Sequence, residues 1–154
     1  MLISTKGRYA LRLMLDIATH QQDGPISLKT IANRQNISLK YLEAIASSLH
    51  ADGLLLSSRG KTGGYRLAKE PGELFIGNVL NTSQGGLNTV ECSHGEGCTC
   101  GKDCLTKPLW IQLDKLINDF FNSISLQDLL NAGKQESPTI ELLRKEVHNE
   151  SICR

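Results

Sequence analysis

Between Thr5 and Leu67 the sequence sets three capped helical segments in a row and then breaks into a basic, glycine-rich hairpin. Few folds accept that order. Ala10, Leu13, Met14, Ile17 and Ala18 recur at helical spacing and predict an amphipathic helix over Thr5 to His20, ended by the turn Asp23-Gly24-Pro25. Ser27 can cap a short helix over Leu28 to Gln35 that buries Ile31 and Ala32, and Asn36 suits the left-handed residue after it. Ser38 then caps a third helix, which buries Leu42, Ile45, Ala46 and Leu49 and stops at Asp52-Gly53. Two short helices joined by so tight a turn form a helix-turn-helix. Leu54 to Leu56 and Tyr65 to Leu67 read as strands joined by Ser58-Arg59-Gly60-Lys61-Thr62-Gly63-Gly64, so the expected architecture is mainly α, a winged helix-turn-helix.

That arrangement leaves Lys40, Tyr41, Glu43, Ala44 and Ser47 opposite the buried face of the third helix, free to enter a major groove. With Ser38 at the start of the helix and Arg59, Lys61 and Tyr65 on the hairpin, they are the expected DNA contacts. Charge supports a polyanionic partner. The chain carries a net charge of only +1, but residues 1–72 hold ten Lys and Arg against five acids, and the remainder hold seven against eleven. A solvated basic face with no partner is the competing interpretation. The joint presence of helix-turn-helix, basic wing and charge asymmetry favours double-stranded DNA.

The segment CSHGEGCTCGKDC places Cys92, Cys98 and Cys104 at equal spacing among glycines, with Cys100 between them. Thiolate is the soft ligand of iron-sulfur clusters and zinc, and glycine-rich backbone can wrap a compact inorganic core. Paired C-x2-C knuckles are absent, which counts against zinc. The lack of an apolar leader counts against a secreted disulfide framework, and no run approaches a membrane span. The expected compartment is therefore the cytoplasm. Neither a nucleotide-binding loop nor a nucleophile-base pair suggests an enzyme.

Beyond the cysteines, Leu109, Trp110, Leu113, Leu116, Ile117, Phe120, Phe121 and Ile124 give a helix between Thr106 and Ser125 an apolar face too wide for one small neighbour to cover. Homodimerisation through Trp110, Leu113, Ile117, Phe120, Phe121 and Ile124 is the expected solution, and it suits a palindromic operator. Ser125 and Asp128 predict a capped last helix over Leu126 to Asn131. The expected division is thus a DNA-binding domain over residues 1–80, a cluster-binding loop over 81–105, dimerisation and last helices over 106–133, and a tail over 134–154 that includes Cys153.

The stretches LISTKGRYALRLMLDIA and ISLKYLEAIASSLHADGLLLSSRGKTGGYRL, with the three cysteines and the LTKPLW that follows, resemble the IscR family of iron-sulfur-responsive transcription regulators, relatives of NsrR and CymR. The resemblance covers residues 1 to about 132 and implies a winged-helix dimer that acts as a repressor, in which cluster status sets operator binding and the targets are genes of iron-sulfur biogenesis or related stress.

 By that resemblance Cys92, Cys98 and Cys104 ligate the cluster, Glu43 reads a base from the third helix, and Arg59 reaches the minor groove from the wing. Lys107 stands where IscR proteins have a histidine ligand, and Arg8 stands where the NsrR branch has an acid, so the fourth ligand is open, with Cys100 in the same loop as one candidate. Three cysteines suit a 4Fe-4S cluster with one exchangeable iron better than a 2Fe-2S cluster, which remains the alternative. A cluster-free thiol switch, or a partner-dependent regulator of cysteine metabolism like CymR, is the competing function.

Overall fold

The structure, a computed structural model, describes residues 3–60, 63–90 and 104–133. Helix α1 (Thr5–His20) starts where the Ser4 hydroxyl accepts the Gly7 amide, and a short 3-10 turn (Gln21–Asp23) follows it. Helices α2 (Leu28–Gln35) and α3 (Leu39–Ala51) are capped in the same way by Ser27 and Ser38. Asn36 between them takes a left-handed φ of 52°. Each cap satisfies an amide that the first helical turn leaves without a partner, so the helix starts are set locally.

The hairpin is shifted slightly from its sequence expectation. Strands β1 (Leu55–Ser58) and β2 (Gly64–Leu67) pair antiparallel, with Leu55 opposite Leu67 and Ser57 opposite Tyr65. The Ile26 and Tyr65 backbones exchange hydrogen bonds of 2.9 and 2.8 Å, so the segment before α2 runs alongside β2. A Cβ at residue 64 would collide with the Ile26 carbonyl, which is why glycine stands there.

Helix α4 (Ile76–Gln84) has no counterpart in the sequence expectation, and it spans the boundary expected at residue 80. Its Ile76, Val79, Leu80 and Ser83 are buried, and it packs on α1 and α3. Helix α5 (Lys107–Ser123) lies against α4, where a side chain at Gly77 would strike Asn122. The chain then returns. Ile124 accepts the Ile76 amide, Leu126 donates to the Leu74 carbonyl, and helix α6 (Leu126–Ala132) sets Leu126 into the same core as Leu13, Met14 and Ile17. The expected capping box is present, with Ser125 and Asp128 bonding each other's backbone amides.

Candidate nucleic-acid interface and cysteine loop

The buried residues of α3 are Leu42, Ile45, Ala46 and Leu49, so Lys40, Glu43, Ala44 and Ser47 face solvent on the opposite side. Tyr41 is exposed on one edge, and its ring meets Tyr9 of α1 at 5.7 Å in a T-shaped contact. Arg12 lies over that Tyr9 ring at 5.6 Å. Such aromatic contacts contribute about 0.5–1.5 kcal/mol each and hold the tyrosine pair in one orientation. The Ser38 hydroxyl is occupied as the cap of α3. Arg59 is exposed at the hairpin tip, whereas Tyr65 is half-buried at the hairpin root against His50. Lys61 lies outside the described residues.

Sequence reading missed the group that fixes the helix-turn-helix to α1. Asp16 is buried on α1 and accepts hydrogen bonds from Arg34 Nε at 3.1 Å, Arg34 Nη2 and Gln35 Nε2 at 2.8 Å. Arg12 Nε in turn donates to Gln35 Oε1 at 3.0 Å. Burial pushes the Asp16 carboxyl up, but the hydrogen bonds from Arg34 and Gln35 and the charges of Arg34 and His20 outweigh it and hold it below the ordinary carboxylate range. The spacing of 18 residues gives no periodic signal. Only an acid on an otherwise apolar helix face hinted at it.

Cys92, Cys98 and Cys100 lie outside the described residues. Cys104 is half-buried three residues before the start of α5, with its Sγ 3.4 Å from the Thr106 hydroxyl. The other end of the loop is also tied to α5. Asp114, the buried residue of that helix, accepts the Thr89 amide at 2.7 Å and the Thr89 hydroxyl at 2.6 Å. Among the described residues no cluster of His, Cys, Asp and Glu could hold a metal ion. The donor set that suits one is the thiols at 92, 98 and 104, with Cys100 beside them, and soft sulfur fits an iron-sulfur cluster.

Of the residues expected at a dimer interface, Ile117, Phe121 and Ile124 pack partly into this chain's own core. Trp110 is half-buried, while Leu113 and Phe120 remain exposed. Beside them Leu109 is 57% exposed and Leu116 67%, and Ile111 adds an apolar surface that sequence reading did not single out. No helix among the described residues is long and apolar enough to cross a membrane.

Comparison with known proteins agrees with this arrangement. A family model described as Rrf2, iron-dependent transcriptional regulator, matches residues 3–132. The chain is 44% identical over 131 residues to the HTH-type transcriptional regulator IscR of Pectobacterium carotovorum, a match covering 85% of this chain and 80% of that protein. Among solved structures it is similar to CymR, the global cysteine regulator of B. subtilis, at a TM-score of 0.72 and 34% identity over 88% of this chain and 99% of that one. It is similar also to T. potens IscR, at a TM-score of 0.68 and 34% identity over 92% of this chain and 96% of that one.

Proposed function

This chain belongs to the Rrf2 family of DNA-binding transcription regulators, and on that premise we propose that an iron-sulfur cluster held by Cys92, Cys98 and Cys104 controls its binding to a palindromic operator as a homodimer. The observation that carries the reading is the equal-spaced cysteine set at the threshold of α5, in a chain 44% identical to IscR. 4Fe-4S is favoured over 2Fe-2S because it tolerates three thiolates with one exchangeable iron, and the fourth position is either that exchangeable site or Cys100. When bound, the cluster supplies a centre sensitive to redox state, oxygen or iron supply.

The protein's own residues supply the response. Thr89 is fastened to Asp114 and Cys104 leads directly into α5, so a change in the loop reaches both ends of a helix-bound segment. The exposed row Leu109, Leu113, Leu116 and Phe120 would pack against a second copy, which places two wings and two copies of α3 at a fixed separation. DNA affinity then depends on the difference between two states of that assembly.

Anaerobic purification with iron and sulfide analysis, followed by operator binding before and after cluster removal, tests the reading. Alanine at Cys92, Cys98 or Cys104 should abolish stable cluster binding, while Cys153→Ala should not. Full retention of iron and sulfide in Cys98→Ala would overturn it, and loss in Cys100→Ala would identify the fourth ligand. A second reading, a cluster-free regulator, is favoured by the likeness to CymR. A colourless anaerobic protein without iron or sulfide would select it.

A further inference from the structure

We propose that His50 is the positioning residue that sets the wing on the recognition helix, and so governs what Arg59 can reach without touching DNA itself. The inference rests on the reading of Arg59 as a wing contact. His50 lies in the last turn of α3, just before the turn at Gly53 from which β1 departs. Its ring Nδ1 is 2.8 Å from the Leu55 carbonyl, which can only accept, so the proton of this bond sits on Nδ1. In the neutral ring Nε2 is then an acceptor, and the Ser57 hydroxyl lies 3.4 Å from it. The same ring meets Tyr65 of β2 edge-on at 6.4 Å. One side chain therefore bridges α3 to both strands.

The register explains why this contact controls the tip. Ser57 and Tyr65 face each other across the ladder, and the next pair, Ser58 and Gly64, leads into Arg59. On the same face of the hairpin, two residues nearer its root, Leu55 and Leu67 are buried, and the Ile26 bridge pairs with the far edge of β2, which fixes where the wing is rooted. Nearer the tip on that face Ser57 is exposed and Tyr65 only half-buried, so burial does not fix the wing there and the His50 ring is what meets it. Among the described residues His50 is the side chain of α3 that hydrogen-bonds the hairpin. His50 is itself exposed, so its chief load is orientation rather than core burial.

Operator binding by the full chain, read by fluorescence anisotropy, tests this. His50→Phe keeps a ring against Tyr65 but removes the donor, and should weaken operator binding about three- to tenfold, the size of one net hydrogen bond. His50→Asn, whose amide can donate near the position of Nδ1, should restore most of the loss. The discriminating measurement is a double-mutant cycle. Combined with Arg59→Ala, His50→Phe should add almost nothing, because the contact it positions is already gone; combined with Glu43→Ala, it should add in full. A purely structural role would add equally to both, and that result overturns the proposal. If Arg59→Ala alone leaves operator binding unchanged, the wing reading and this inference fall together. Should His50→Phe fold poorly, His50→Gln enters the same cycle with the same criteria.

Discussion

The segment from α1 to α4 and the helix α5 use similar apolar residues at similar spacing, but they spend them differently. In the first, Leu13, Met14, Ile17, Leu42, Ile45, Leu49 and Leu80 are fully enclosed by the chain itself. In α5 the buried residue is Asp114, and Leu109, Ile111, Leu113, Leu116 and Phe120 stand in solvent. An apolar stripe is thus ambiguous until its neighbours are known. The core helices have a complete set of partners in one chain, whereas α5 has partners for only half of its circumference.

The sharpest way to break this contrast is to put charge on each side of it. Leu113→Glu with Phe120→Glu should leave the fold of residues 3–90 intact while abolishing the dimer at micromolar concentration, with operator affinity falling about 100-fold through lost bivalency. Light scattering and circular dichroism on the same sample check both halves, and a monomeric wild type would remove the premise. Ile45→Ala should do the converse, lowering unfolding free energy by about 2–5 kcal/mol in chemical denaturation without changing the assembly.

Asp16 offers a smaller and pH-dependent effect. Its carboxyl is held below the ordinary range in the folded chain, so its contribution is fully present above the unfolded value of about 3.9 and is lost as pH falls through the folded one. Asp16→Asn should cost about 1–3 kcal/mol at neutral pH, and that difference from wild type should shrink on acidification. Denaturation curves at a series of acid pH values would show a constant difference if the ion pair were idle.

The gentlest probes separate the two reading elements. Glu43→Ala should relax discrimination at one position per half-site by about 1–3 kcal/mol while leaving random DNA bound as well or better, because an acid near phosphates is useful only where a cytosine amino group donates to it. Arg59→Ala should lower the salt dependence of binding by about one unit of slope. Titrations on operator and scrambled duplexes at several salt concentrations would distinguish them, and equal losses on both duplexes would show that neither residue carries sequence information.

How much of this was legible follows from the range of the interactions. Ser4, Ser27 and Ser38 act within three residues of themselves, so the starts of α1, α2 and α3 could be read locally. Phe75 caps α4 without a side-chain bond, and nine residues give too few turns for a clear period, so that helix stayed hidden. The stripe on α5 was visible, but its division between Ile117 and Phe121 inward and Leu113 and Phe120 outward depends on where Gly77 of α4 meets Asn122. The partners of Asp16 lie 18 and 19 residues away, beyond any local pattern.

The return of Leu126 to the core has a consequence for how the protein is made. A ribosome delivers α1 to α4 well before α6, and until Leu126 and the Leu74 carbonyl meet, the floor beneath α1 is open. The DNA-reading half therefore finishes folding only after the helix that would recruit a second copy has emerged. On the proposed dimer, a nascent chain would acquire its grip on DNA and its means of pairing at nearly the same moment, and a fragment cut after residue 80 would inherit an open-sided core instead of a clean domain.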